Sequence, residues 1–315
     1  MRFKAIWANN SPASKFLIAM GIMIVGVFVF SLLAFSLASA IYGIGPEQLQ
    51  DLLGDLDNPQ TISVIKLIQT VSAIGTFILP AIFLAYTFGN STKEYLLLDR
   101  KTKWDSVIIV FLLLIAAVPL INFLGEWNSH MELPAWMEGI ERQMRASEDQ
   151  AARLTEKFLL IDTTWQLIFT LIMVAVLPAI GEELMFRGIL QRIFSEWSGN
   201  KHTGIWASAI LFSAMHMQFY GFVPRMLLGV MLGYLFLWSG SLWLPILAHF
   251  INNGAAVIAS YMYSHDSLSV NPDTVGTGTD YASVLISTLL TAGLLWLIYR
   301  REQRRNVEDG NKLWE

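Results

Sequence analysis

The sequence predicts an all-α polytopic membrane protein with about eight transmembrane helices around a buried polar cavity. Three observations predict it: 54% of the 315 residues are hydrophobic, only 15% are charged, and the mean hydropathy is +0.50. Soluble domains run near a quarter charged residues, so this chain lacks the charge to cover a surface facing water. Its long apolar runs supply the spans, since ~20 helical residues rising 1.5 Å each cover the ~30 Å hydrocarbon layer. The absence of cysteine excludes disulfides, thiolate metal sites and a cysteine nucleophile. With no long basic block, nucleic acid is not an expected partner.

Eight apolar stretches follow in order: 15 to 41, 61 to 87, 104 to 124, 163 to 190, 204 to 218, 220 to 239, 241 to 263 and 280 to 299. The first follows Arg2, Lys4 and Lys15 and exceeds the apolar core of a secretory signal, so it reads as a retained signal anchor with a cytoplasmic N-terminus. Loop 43 to 60 holds Glu47, Asp51, Asp55 and Asp57 and no Lys or Arg, as an outer loop should. Loop 88 to 103 holds Lys93, Arg100, Lys101 and Lys103, and belongs inside. Residues 125 to 162 carry eight acids against four bases. They read either as an amphipathic helix over Met137 to Phe158 lying on the outer interface, or as a solvated loop. The fourth stretch carries Arg187 near its end and is followed by Arg192 and Lys201, and the fifth is short, with Gly221 and Pro224 marking a break before the sixth. Residues 265 to 280, rich in Ser, Gly, Asn and Asp, read as a flexible outer loop, and the tail with Arg300, Arg301, Arg304 and Arg305 returns to the cytoplasm. On this reading the chain divides into 1–160 (three spans and the outer interfacial segment), 161–263 (spans four to seven) and 264–315 (outer loop, last span and basic cytoplasmic tail).

Charges at a helix centre in a membrane cost roughly 2.5–3.5 kcal/mol each, so their presence needs a reason. Here they cluster: Gly181-Glu182-Glu183-Leu184-Met185-Phe186-Arg187 in the fourth stretch, Phe212-Ser213-Ala214-Met215-His216 in the fifth, and His249-Phe250-Ile251-Asn252-Asn253 in the seventh. Counted from the cytoplasmic ends at 1.5 Å per residue, Glu182 lies about 15 Å deep, His216 about 18 Å and His249 about 12 Å. Three helices thus bring polar groups to one depth, which points to a single buried site.

Spacing assigns roles. Glu183 and Arg187 stand four apart with the acid first, the favourable order for a helical ion pair, while Glu182 points about 100° away and is free for other work. A buried carboxylate without an adjacent cation suits a general base or acid, with His216 sharing the proton or orienting a water. His249 and Asn253 lie on one face and could donate hydrogen bonds to a developing oxyanion, Asn252 being a second candidate for the amide. Alternatively Glu182, His216 and His249 make a ligand set for zinc with a fourth position left for water; an obligatory ion is slightly disfavoured. The bland alternative is that these polar groups only bind helix to helix. Phe212 reads as a packing residue, and Lys66 and Arg225, also inside spans, have no assigned role. There is no His-Glu-x-x-His, Gly276-Thr277-Gly278-Thr279-Asp280 is not an intramembrane Gly-x-Gly-Asp, and no convincing Gly-x-Ser-x-Gly occurs.

Glu182-Glu183-x-x-x-Arg187, Phe212-x-x-x-His216 and His249-x-x-x-Asn253, in that order on successive hydrophobic helices, resemble the CPBP family, which comprises type II CAAX prenyl endopeptidases and bacterial bacteriocin-processing and immunity membrane proteins. Each motif alone is weak, the ordered triple is strong, and no motif position departs from the pattern; the resemblance covers roughly residues 160 to 260. It implies an intramembrane endopeptidase whose cavity opens towards the cytosol. By the same resemblance Glu182 and His216 activate water, His249 and Asn253 stabilise the oxyanion, and Glu183 and Arg187 are also needed for activity, with zinc-dependent and metal-free mechanisms both argued for the family. The expected partners are a peptide or lipidated-peptide substrate and membrane lipid, and the short amino-terminal region and brief loops point to a bacterial inner membrane. The rival class is a non-catalytic membrane protein, either a proton-coupled transporter using the buried Glu and His as a relay or an immunity scaffold. A transporter of common design would show paired halves, and no internal repeat is visible.

Overall fold

The structure, a computed structural model, describes residues 4–308; Arg2 and the end of the basic tail lie outside the described residues. Among the described residues, nine helices of 14 residues or more carry the architecture. They are α1 (Pro12–Tyr42), α2 (Pro59–Phe88), α3 (Trp104–Ser129), α4 (Glu138–Leu159), α5 (Thr164–Ser198), α6 (Lys201–Ala214), α7 (Phe222–Ser239), α8 (Trp243–Ser264) and α9 (Tyr281–Glu308). Their ends follow local chemistry. The Ser11 side chain accepts from the Ser14 N–H with Pro12 just inside α1, and Gly43 closes that helix in the left-handed region; Thr163 and Gln166 form a reciprocal capping box at α5.

Six helices among the described residues, α1, α2, α3, α5, α7 and α9, are long and apolar enough to cross a membrane. Two of the eight predicted spans do not meet that standard, for different reasons. The fifth folds as α6, only 14 residues, about 21 Å and short of the ~30 Å needed, and the chain turns immediately after it. The seventh, α8, is 22 residues long but carries His249, Asn252 and Asn253, so polarity rather than length sets it apart. The outer face is apolar, with Leu17, Phe28, Leu289 and Trp296 exposed, while Glu183, Arg187 and His249 are buried. That inversion is what a lipid solvent demands.

Contacts sort the loops into two ends. At one, Lys15 pairs with Glu196 (3.0 Å), Asp105 with Arg301 and Arg305, and the Ser241 hydroxyl donates to the Arg100 carbonyl. At the other, Lys157 pairs with Asp57 (2.7 Å) and the Gly278 N–H donates to Glu126. The basic and acidic loops therefore separate as the sequence predicts. Residues 265 to 280 are not a free loop. The Asn122 amide donates to the Pro272 and Val275 carbonyls, and Gly276, at φ +86°, lies so close to Pro119 that a Cβ would meet its carbonyl oxygen at 2.6 Å.

Where the site is built, helix α2 widens by one residue at one point and α5 at two. Leu79 donates to Ile74, Leu177 to Ile172 and Gln191 to Phe186, all i to i−5 bonds that interrupt the α-helical pattern. Such π-type turns concentrate at functional positions. Pro80 and Pro178 follow the first two and remove an N–H from the ladder. Across from α5, the Gly229-x-x-x-Gly233 stripe of α7 permits close approach, and side chains a helical turn apart exploit it: Arg187 donates to the Gly229 carbonyl (3.0 Å) and Gln191 to the Gly233 carbonyl (3.2 Å).

Candidate active site

The centre of the site is a chain of three buried groups. Glu183 Oε1 accepts from Arg187 Nη1 at 2.8 Å and from His249 Nδ1 at 2.8 Å. Arg187 is further held by the Gly229 carbonyl and lies 4.9 Å from the centre of the Phe212 ring. Because the carboxylate fixes the Nδ1–H of His249, the other nitrogen, Nε2, is turned to the remaining side of the site. There it faces Glu182 Oε2 at 3.8 Å, too long for a direct hydrogen bond and close enough for both groups to touch one small polar molecule. Glu182 accepts no hydrogen bond from a described residue, and its side chain is 13% exposed. The two adjacent glutamates thus differ as their helical phase predicts: one is locked, the other free.

Phe212 is the hub. Its ring makes edge contacts with Phe186 (5.1 Å between centres), His216 (5.0 Å) and His249 (6.2 Å), so the packing role expected of it is to space the polar groups. His216 lies just past the end of α6, where its Nδ1 donates to the Phe212 carbonyl at 2.8 Å, leaving Nε2 as the acceptor in the neutral ring. It makes no direct hydrogen bond to Glu182. Asn253, one turn beyond His249, donates through Nδ2 to the Val174 carbonyl (3.0 Å), and its Oδ1 accepts from Asn252 (3.1 Å). Val174 is the residue four before Pro178, whose ring cannot donate to it, so the Asn253 amide supplies the missing donor. One amide hydrogen of Asn253 remains for other use.

The structure brings Glu182, Glu183, Arg187 and His249 together and places His216 across the Phe212 ring from them. Among the described residues no three His, Cys, Asp or Glu side chains are grouped so as to hold a metal ion. Glu182 and His249 approach, but His216 does not complete the set. The zinc expectation on Glu182, His216 and His249 therefore does not fit the arrangement, a metalloprotease assignment has no support, and no step below runs through a metal.

Several residues that position the site carried no sequence signal. The turn after His216 is held from outside: Asn128 of α3 donates to the Phe219 carbonyl and accepts from the Val223 N–H, while Glu148 of α4 accepts from the Tyr220 N–H at 2.9 Å. Arg145 lies 4.2 Å from the Tyr220 ring centre and pairs with Glu141. Its hydrogen bond, with that from the Leu133 N–H, holds the Glu141 carboxyl below its ordinary range. The polar insert is thus a formed helix docked over this turn. Lys66 lies within reach of the Phe158 carbonyl at the end of α4 (3.4 Å) and of Thr170 (3.5 Å), a cation at a helix C-terminus. Arg225 donates to Gln218 at 2.6 Å.

These features define the class: an all-helical membrane protein with a glutamate–histidine–arginine cluster buried between helices. Residues 164–255 match the family model of type II CAAX prenyl endopeptidases, Rce1-like, and this segment contains all three motifs. The resemblance read from the motifs is therefore met independently over the same helices. The chain is also 32% identical over 85 residues to an uncharacterized protein, YpbD, of Bacillus subtilis (strain 168), an alignment covering 26% of this chain and 40% of that protein. The chain thus spans less than half the length of the curated relative it matches. No solved structure gives a significant match.

Proposed function

We propose that this protein is an intramembrane endopeptidase in which Glu182 and His216 activate water. The observation that carries the reading is the free Glu182 carboxylate, buried beside an imidazole whose second nitrogen is pinned by Glu183. Glu182 takes a proton from water as that water attacks the peptide carbonyl, while His216 Nε2 accepts the second hydrogen of the same water and orients it; the Glu182 carboxyl then returns its proton to the leaving amine nitrogen as the C–N bond breaks, which frees an amine and a carboxylic acid. Oxyanion stabilisation falls to His249 and to the remaining amide hydrogen of Asn253. With Nδ1 already donating to Glu183, His249 Nε2 donates only when the ring carries both protons, so Glu183 and Arg187 act by holding that ring. The match of the segment to an endopeptidase family supports the reaction class.

The substrate in this reading is a peptide or lipidated peptide, reached from the membrane, whose lipid is the second partner. Residues 161–263 are the protease core, flanked by the helices of 1–160 and the segment 264–315. The basic end of the molecule faces the cytoplasm of a bacterial inner membrane. The test is proteolysis of candidate peptides by the detergent-purified chain, wild type against Glu182→Ala. Loss of a catalytic base lowers turnover by about 10²–10⁴-fold. Equal turnover by the two proteins would refute the assignment.

A further inference from the structure

Arg225 sits in the first turn of α7, inside a membrane-spanning helix, where an unpaired charge is costly. It is partly buried and has far fewer partners than the fully buried Arg187. Arg187 has a carboxylate, a carbonyl and an aromatic face. Arg225 has only the Gln218 side-chain oxygen, reached through Nη2, and forms no ion pair with a described residue. Its Nη1 is buried without a hydrogen-bond partner. Side-chain groups left in that state are rare and ask for an explanation.

The guanidinium is nevertheless placed with care. Gln218, which tethers it, stands two residues after His216, and the guanidinium lies against Gly221 of the same turn. Glu182 and Glu148 are the carboxylates whose charge it feels, neither in contact. The positive end of α7 adds to its field. Along α7, Arg225 is one turn from Gly229, whose carbonyl holds Arg187 at the level of the site. Those four residues rise about 6 Å, close to two residues of extended peptide at ~3.3 Å each. A guanidinium presents a fork of donors that matches a carboxylate.

We infer that Arg225 is a specificity-determining residue that binds a carboxylate of the peptide substrate, either its terminal carboxylate or an acidic side chain, about two residues from the bond presented to Glu182. The inference rests on the endopeptidase reading and gives it a substrate feature: anionic character on one side of the scissile bond.

The experiment uses the full chain in detergent and three fluorescein-labelled decapeptides with the same apolar sequence: a free acid, its C-terminal amide, and the amide with one aspartate at the penultimate position. Binding is read by anisotropy and cleavage by KM and kcat, for wild type, Arg225→Gln and Arg225→Lys. Wild type should bind at least one carboxylate-bearing peptide about tenfold more tightly than the plain amide. Arg225→Gln should erase that difference, acting on KM with kcat nearly unchanged, and Arg225→Lys should restore part of it. Preference for the free acid identifies the terminal carboxylate, and preference for the aspartyl amide identifies a side chain; both support the site. Equal binding of all three by wild type, or an equal loss for all three in Arg225→Gln with kcat reduced, would overturn it. If Arg225→Gln fails to fold, Arg225→Lys carries the test, and full loss of folding in both would refute a binding role in favour of a structural one. Carboxylate-selective binding without any cleavage would overturn the endopeptidase reading and leave this site standing.

Discussion

Replacing each of the two adjacent glutamates by glutamine separates structure from chemistry at a cost of hardly any volume. Glu183 is fully buried, and its Oε1 holds both Arg187 and His249 at 2.8 Å, with Arg187 1% exposed. Removing one partner of a buried pair leaves the other charge uncompensated, which costs about 3–5 kcal/mol. In a chain of this size 1 kcal/mol shifts the melting temperature by about 2 °C, so Glu183→Gln should melt about 6–10 °C below wild type. Glu182 has no such partner, its nearest being His249 Nε2 at 3.8 Å. Neutralising a buried, unbonded carboxylate relieves desolvation, so Glu182→Gln should melt at or above the wild-type temperature while losing turnover. The assay is differential scanning fluorimetry of the purified proteins in one detergent, with peptide cleavage measured on the same samples. Equal falls in melting temperature for the two variants would refute this division of labour, and so would full activity in Glu182→Gln.

Three other outcomes follow from the geometry. Asn253→Ala should strip the Val174 carbonyl of its donor and cost about 1–3 kcal/mol; Pro178→Ala returns a backbone N–H there, so the double variant should be less destabilised than the sum, and strict additivity would contradict the proposed pairing. Because the chain lacks cysteine, single probes report topology: Lys93→Cys should resist an impermeant thiol reagent in intact cells and Val270→Cys should react, the reverse pattern overturning the orientation. Position 310, another natural probe site, lies outside the described residues. Activity should survive exhaustive dialysis against chelator, with purified active protein holding less than one zinc per chain by elemental analysis; zinc lost together with activity, and restoring it on return, would show that His249 is a ligand.

What the sequence determined by itself was the solvent and the outline of the chemistry. Sparse charge and long apolar runs leave a helical membrane protein as the stable solution, because a backbone in lipid must satisfy its own hydrogen bonds. The helical period separated Glu182 from Glu183 and paired the latter with Arg187, since four residues bring side chains onto one face. The amphipathic insert was legible as a helix from its pattern, and α4 begins and ends within a residue of the predicted bounds. Tertiary structure decided everything that depends on pairing across helices. That Glu183 also holds His249, that Asn253 repairs the gap left by Pro178, and that Asn128 and Glu148 brace the turn after His216 are contacts between residues far apart in the chain. Lys66 and Arg225, unassigned from sequence, acquire neighbours only when α4 and the turn at Gln218 fold against them. A local pattern records which face of a helix is polar, but the partner that meets that face is set by how the helices pack, and widened turns at three points in α2 and α5 shift those faces by amounts no fixed period contains.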